Sequence, residues 1–295
     1  MDNNDSNPQL SWMGSRLRAG KITRRDFIGT ATSIGLGMAI SASLADQALA
    51  SASPRKGGTL KVAMGHGESG DILDPASLFN GYQWALNYAF RNTLTQIGPG
   101  NVVEPGLAIS WEAIPGAKQW TFELRQGVEF SNGKSMTTED VIASINHHRG
   151  EDSKSFVKPI ANEIASIKTD GKNKIIFELV SGNADLPNML ASGGFSICPA
   201  NADGSIDWQS HIGTGGYLLK EYEPGIRSYL LRNPNYWRDD RAFANDIEFL
   251  TIQDPVAREN ALKSGVVDVI DKVDLKTAAF LNRVENIHVE ETTGP

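Results

Sequence analysis

Gln119-Trp120-Thr121-Phe122-Glu123-Leu124 is the stretch from which the fold is read. Apolar and polar side chains alternate, so Trp120, Phe122 and Leu124 share one face of a half-buried strand. After Arg125-Gln126-Gly127 the sheet continues through Val128-Glu129-Phe130, and Asn132-Gly133 marks a tight turn. Upstream, Ser110-Trp111-Glu112 begins another strand, and Val103-Glu104-Pro105-Gly106-Leu107-Ala108 reads as a turn into a short helical segment. Downstream, Thr137 stands three residues before Asp140 in a helix start of capping-box type. Val141, Ile142 and Ile145 then give Thr138 to Arg149 one apolar face.

Outside this block the signals are of the same two kinds. Ile164 to Lys168 and Lys174 to Leu179 form a hairpin across Asp170-Gly171, and Asp185 to Leu190 is a short helix with Pro187 in its first turn. Thr59 to Ala63 is a strand. A polar loop follows, Gly65-His66-Gly67-Glu68-Ser69-Gly70-Asp71, then Leu73-Asp74-Pro75 and a helix within Gly81 to Thr93. Strands are predicted at Leu218 to Tyr222, Ser228 to Arg232, Ile247 to Ile252 and Val266 to Ile270, with a last one at Val284 to Glu290. A helix fits Pro255 to Ser264. The order is irregular and no internal repeat occurs, so the class is mixed α/β.

The 295 residues are 40% hydrophobic and 21% charged, which is ordinary for a globular chain. The net charge is -7 and no long basic run occurs, so nucleic acid is not an expected partner. The one cysteine, Cys198, has no partner for an internal disulfide and sits among apolar neighbours, which reads as buried and inert. None of the five histidines has metal-cluster spacing. His147 and His148 are adjacent on a helix, about 100° apart, and would not share an ion well. Gly213-Thr214-Gly215-Gly216 lacks the lysine and spacing of a phosphate loop, and no Gly-x-Ser-x-Gly elbow is present. No catalytic set, cofactor or metal is therefore expected.

The first fifty residues read as an address. Thr23-Arg24-Arg25-Asp26-Phe27-Ile28-Gly29 precedes a weakly apolar run, Ile28 to Leu44, that ends near Ala48-Leu49-Ala50. Paired arginines, a modest apolar core and a small-x-small end make an export signal, with cleavage expected between Ala50 and Ser51. Arg24, Arg25 and Phe27 in this setting resemble a bacterial twin-arginine signal, which implies the twin-arginine export machinery as a partner and the periplasm as the destination. The alternative is an uncleaved anchor, for which the run is short and glycine-rich. Residues 51–56 read as a disordered linker.

The ordered set of motifs in the mature chain resembles the bacterial extracellular solute-binding proteins of family 5, which include oligopeptide-, dipeptide- and nickel-binding components of ABC importers. The set is Gly57-Gly58-Thr59-Leu60, Leu73-Asp74-Pro75, Pro105-Gly106-Leu107-Ala108, Ser110-Trp111-Glu112, Trp120 to Arg125, Gly127-Val128, Phe130 to Gly133, Thr138 to Val141, Gly213 to Tyr217, Arg232 to Trp237, Ile247 to Ile252 and Ala261 to Asp268. Gly216 departs from it, since many members carry proline there. The resemblance implies a periplasmic-binding-protein-like type II fold. Residues 57–290 would be lobe one, with an extra subdomain at roughly 78–205, and 291–295 the start of a hinge to a second lobe that the chain does not contain.

The resemblance also implies a function and a site. A peptide or similar small solute would be captured and passed to an inner-membrane permease and its ATPase subunits. A sensor or interaction protein outside transport, or an inactive lobe-one remnant, is the alternative. The loop after the first strand would face the cleft through Gly65, His66, Glu68, Ser69 and Asp71, where glycine lets a solute backbone approach. Trp208 and Tyr217 would border it, with core packing as the competing role for Tyr217.

Overall fold

The computed structural model describes residues 17, 22–33, 41, 44, 54, 56–98 and 101–291. The chain divides into two compact units, Met1–Lys56 and Gly57–Pro295. In the first, helix α1 (Arg24–Ser33) starts at Thr23, whose backbone N–H and hydroxyl both donate to Asp26 Oδ2, at 3.0 and 2.7 Å. Phe27 is buried with Leu17 and Ala31, while Arg24 and Arg25 are exposed. Ala50 and Ser51 lie outside the described residues. No described helix is long and apolar enough to cross a membrane.

The second unit holds two main cores. One is built on an antiparallel sheet of β4 (Ala108–Ala113), β5 (Gln119–Leu124), β6 (Ile164–Thr169) and β7 (Lys174–Leu179), in the order β4-β5-β7-β6. The alternation that predicted β5 is realised: Phe122 is fully buried, edge-on to Phe177 at 5.4 Å between ring centres and stacked with Trp111 at 6.1 Å. A helix, α3 (Thr138–Asn146), adds Val141 and Ile145 to this core. It starts with the expected capping box between Thr137 and Asp140. Before it in the chain comes α2 (Gly81–Phe90), and the short helices α4 (Lys158–Ala161) and α5 (Leu186–Met189) follow.

The other core lies under a five-stranded sheet. It contains β1 (Thr59–Met64), β8 (Tyr217–Glu223), β9 (Arg227–Arg232), β10 (Asp246–Thr251) and β11 (Val269–Ile270), in the order β11-β1-β10-β9-β8. β1 runs parallel to both β10 and β11, with Met64 opposite Thr251 and Ala63 opposite Ile270. The crossover from β10 to β11 is made by α6 (Pro255–Lys263), which Asp254 caps by accepting from the Ala257 N–H at 2.7 Å. Tyr82, Leu86 and Phe90 of α2 pack on Leu230, Ile247 and Phe249, and the Tyr82 hydroxyl lies 2.6 Å from Ser228 Oγ. Each such buried side chain stabilises the fold by about 2 kcal/mol. The last helix, α7 (Leu275–Leu281), follows β11.

Two expectations are corrected here. Residues 103–108 are not helical: β3 (Val102–Pro105) pairs with β2 (Thr95–Gly98), and β4 starts at Ala108. The N–H groups of Gly106, Leu107 and Ala108 donate to the carbonyls of Leu94, Thr93 and Leu94 instead of closing a helical turn. Residues 284–286 form a bend and turn, 287–290 are irregular, and none of them pairs with a strand among the described residues.

His148, at the end of α3, is fully buried with Nδ1 2.7 Å from Ser155 Oγ. Burial, then the neighbouring His147, lowers its pKa from 6.5 to about 4. The unfolded chain therefore binds a proton that the folded chain refuses. The stability from a neutral His148 should be complete above pH 6.5 and should decline as pH falls towards 4, by up to about 1.4 kcal/mol per pH unit. Urea denaturation across that window should show the slope in the natural chain and a flatter one in His148→Gln.

Candidate functional site

In an open α/β sheet, solutes bind outside the carboxyl ends of parallel strands, where the chain turns to opposite sides. Here that place is the end of β1, flanked by the ends of β10 and β11. Three segments meet there: 65–71 after β1, 252–254 after β10 and 271–274 after β11.

The first segment is built by its own polar groups. The Glu68 N–H donates to Asp71 Oδ2 at 2.9 Å, and the Asp71 N–H returns to the Glu68 carbonyl at 3.0 Å. Asn80 Nδ2 donates to both Asp71 carboxylate oxygens at 2.9 and 2.8 Å, while Asn80 Oδ1 caps α2 by accepting from the Gln83 N–H. The loop is thus tied to the first turn of a helix. Tyr222 Oη donates to the Asp71 carbonyl at 2.9 Å. Burial, and then the Asp71 charge, push the Tyr222 phenol well up, so it stays a neutral donor. Gly225 closes the β8–β9 turn against the loop, where a Cβ would stand 2.8 Å from the Ser69 nitrogen.

Glycine is required at position 67. Its φ is +126°, and a Cβ there would lie 2.4 Å from Thr251 Oγ1. Gln253 Nε2 donates to the Gly67 carbonyl at 3.0 Å. Gly67→Ala should lower stability by about 1–2 kcal/mol through backbone strain, measured by urea denaturation, and should displace Glu68 and Ser69.

The third segment faces the first. The Gly65 N–H donates to Asp271 Oδ1 at 2.6 Å, His66 Nδ1 lies 3.7 Å from Asp271 Oδ2, and Lys272 Nζ contacts His66 Nε2. Glu68, Ser69 and Lys272 are exposed; Gly65, His66, Asp71 and Asp271 are half-buried. The edge therefore offers the exposed Glu68 carboxylate and Ser69 hydroxyl, one ammonium, one imidazole and glycine backbone. Such a set can hold a polar solute by hydrogen bonds and charge.

Five of the residues named from sequence, Gly65, His66, Glu68, Ser69 and Asp71, share this edge. The other two sit elsewhere. The Trp208 ring packs with Ala143, Cys198 and Ile206, and its carbonyl accepts from buried Arg91 at 3.0 Å. Tyr217 opens β8 at the opposite, amino edge of the sheet, where it lines a cavity of about 450 Å³ with Tyr88, Tyr236 and Arg238. Gln253, Arg258, Asp271 and Lys272 were not singled out from sequence. The signal that could have found them is their position just beyond two predicted strands that prove parallel to β1. Among the described residues, no group of three His, Cys, Asp or Glu is arranged to hold a metal ion.

Residues 102–295 match the family model "Bacterial extracellular solute-binding proteins, family 5 Middle". The nickel-binding periplasmic protein of Escherichia coli K12 is 30% identical over 203 residues, 67% of this chain and 38% of that protein. The periplasmic oligopeptide-binding protein OppA of Haemophilus influenzae Rd is 25% identical over 230 residues, 70% of this chain and 42% of that protein. The chain thus spans less than half the length of these curated relatives. Among solved structures, AgaA of A. tumefaciens R10 in complex with agropinic acid superposes with a TM-score of 0.70 at 27% identity, covering 77% of this chain and 46% of AgaA. DppA of Helicobacter pylori in complex with the peptide STSA gives 0.68 at 24% identity, covering 79% and 50%, and shares the fold. The chain belongs to the family 5 bacterial extracellular solute-binding proteins, whose members bind solutes and catalyse no reaction.

Proposed function

We propose that this chain is the solute-capturing part of a periplasmic binding protein that serves an ABC importer, and that its solute is a peptide or a peptide-like small molecule. The observation that carries the reading is the polar edge at the ends of β1, β10 and β11, where glycine backbone, Glu68, Asp71, Asp271 and Lys272 come together. Peptide-type solutes fit because they carry backbone donors and acceptors together with charged ends. Several relatives are named for peptides, DppA was solved with the peptide STSA, and AgaA was solved with agropinic acid. Capture would proceed by closure of a second lobe over this edge, and a permease with its ATPase subunits would receive the closed form.

In this reading Arg24, Arg25 and Phe27 belong to a twin-arginine signal cleaved between Ala50 and Ser51, residues 57–290 are lobe one, and roughly 78–205 form its extra subdomain. The exposed arginine pair beside a buried Phe27 supports the signal. A thermal-shift screen of the purified chain against di- to pentapeptides, opines and sugars tests the reading. An upward shift confined to peptides or opines is expected. No shift with any class, from a chain that melts cooperatively, would remove its support.

A further inference from the structure

The segments that form the polar edge come from three different strand ends, and one side chain joins them. Arg258, in the first turns of α6, is 3% exposed. Its Nη1 donates to the carbonyls of Ile252 at 2.7 Å and Gln253 at 3.1 Å, both after β10. Its Nε donates to the Asp271 carbonyl and its Nη2 to the Lys272 carbonyl, each at 3.1 Å, both after β11. Nε also lies 3.6 Å from Asp271 Oδ1, the atom that accepts from the Gly65 N–H after β1. The guanidinium lies flat beneath Gly65, where a Cβ would stand 3.0 Å from Cζ, Nη1 and Nη2.

This is more than burial of a charge. Four carbonyls accept from a single planar fork that also lies within ion-pair reach of one carboxylate, which a lysine ammonium on a flexible stem does not reproduce. The constellation it supports is unusual: Lys272 has φ +48°, a left-handed conformation for a non-glycine residue, and its carbonyl is one of those held. The same residue carries the ammonium that contacts His66. Held this way, the chain after β11 can hardly move without moving His66 as well.

We propose that Arg258 is the positioning residue of the solute site: it locks the ends of β1, β10 and β11 so that His66, Asp271 and Lys272 form one preorganised contact surface. The proposal rests on the transport reading for its solute, but its geometric half stands apart from it. Arg258→Lys, Arg258→Ala and a surface control, Lys220→Ala, are made in the purified chain. Three quantities are read: the cooperative melt, the His66 ring resonances (assigned with His66→Gln), and affinity for the peptide or opine that gives the largest thermal shift.

Arg258→Lys should melt cooperatively, displace the His66 resonances, and weaken the solute by roughly tenfold, as loss of a supporting contact does. Added guanidinium ion should partly restore both readouts in Arg258→Ala, and Lys220→Ala should change neither. Unaltered His66 resonances and affinity in both Arg258 variants would overturn the proposal. So would global unfolding of Arg258→Lys, since the residue would then serve the fold and not the site. If the unaltered chain binds none of the solutes while His66 still moves in Arg258→Lys, the positioning role stands and the transport reading falls.

Discussion

Phe122→Ala is expected to lower the stability of the chain by about 3–5 kcal/mol, the largest single-residue effect foreseen here. Phe122 is fully buried: it touches Trp111, Trp120 and Phe177 at 6.1, 6.2 and 5.4 Å between ring centres. Neighbours on three strands cannot collapse into the space because each is held by its own ladder of hydrogen bonds. Phe122→Leu should recover much of the loss. Urea denaturation followed by tryptophan fluorescence measures both, and a Phe122→Ala cost below about 1 kcal/mol would mean this core is not packed as described.

Asp140→Ala should cost about 3 kcal/mol. The carboxylate is fully buried at the start of α3. It accepts from the Thr137 N–H at 2.8 Å, the Ala200 N–H at 2.7 Å and Lys134 Nζ at 2.6 Å. Alanine leaves two backbone donors without partners and removes a negative charge from the helix N-terminus. Asp140→Asn should cost less, because its amide oxygen can still accept one of these bonds. The same denaturation series measures both variants. Equal stability of Asp140→Ala and the natural chain would remove Asp140 as the link between α3 and the segment at Ala200.

The strands of the first core were legible because their pattern is local. Trp120, Phe122 and Leu124 alternate, Asp170-Gly171 sets the hairpin, and Thr137 with Asp140 starts α3, all within a few residues. Residues 106–108 read as helical because the partners of their N–H groups, Thr93 and Leu94, lie over ten residues away, and nothing in the segment itself discloses that pairing. The candidate site is only partly local in the same sense. The family resemblance pointed to the 65–71 loop, whose glycines between a strand and a helix let a solute backbone approach. Asp271, Lys272 and Arg258 join it only once β11 and β10 are known to flank β1 in parallel, which no short-range signal states. Trp208 and Tyr217 were named for residue type, and residue type does not say which edge of a sheet a side chain occupies.

In the proposed function, solute is held where β1, β10 and β11 end. Hydrogen–deuterium exchange of the purified chain, with and without the peptide or opine that gives the largest thermal shift, tests it most directly. Slowed exchange is expected at 65–71, 252–254 and 271–274, with little change elsewhere. Protection confined to the opposite edge, around Tyr217, Tyr236 and Arg238, with those three segments unchanged, would contradict it.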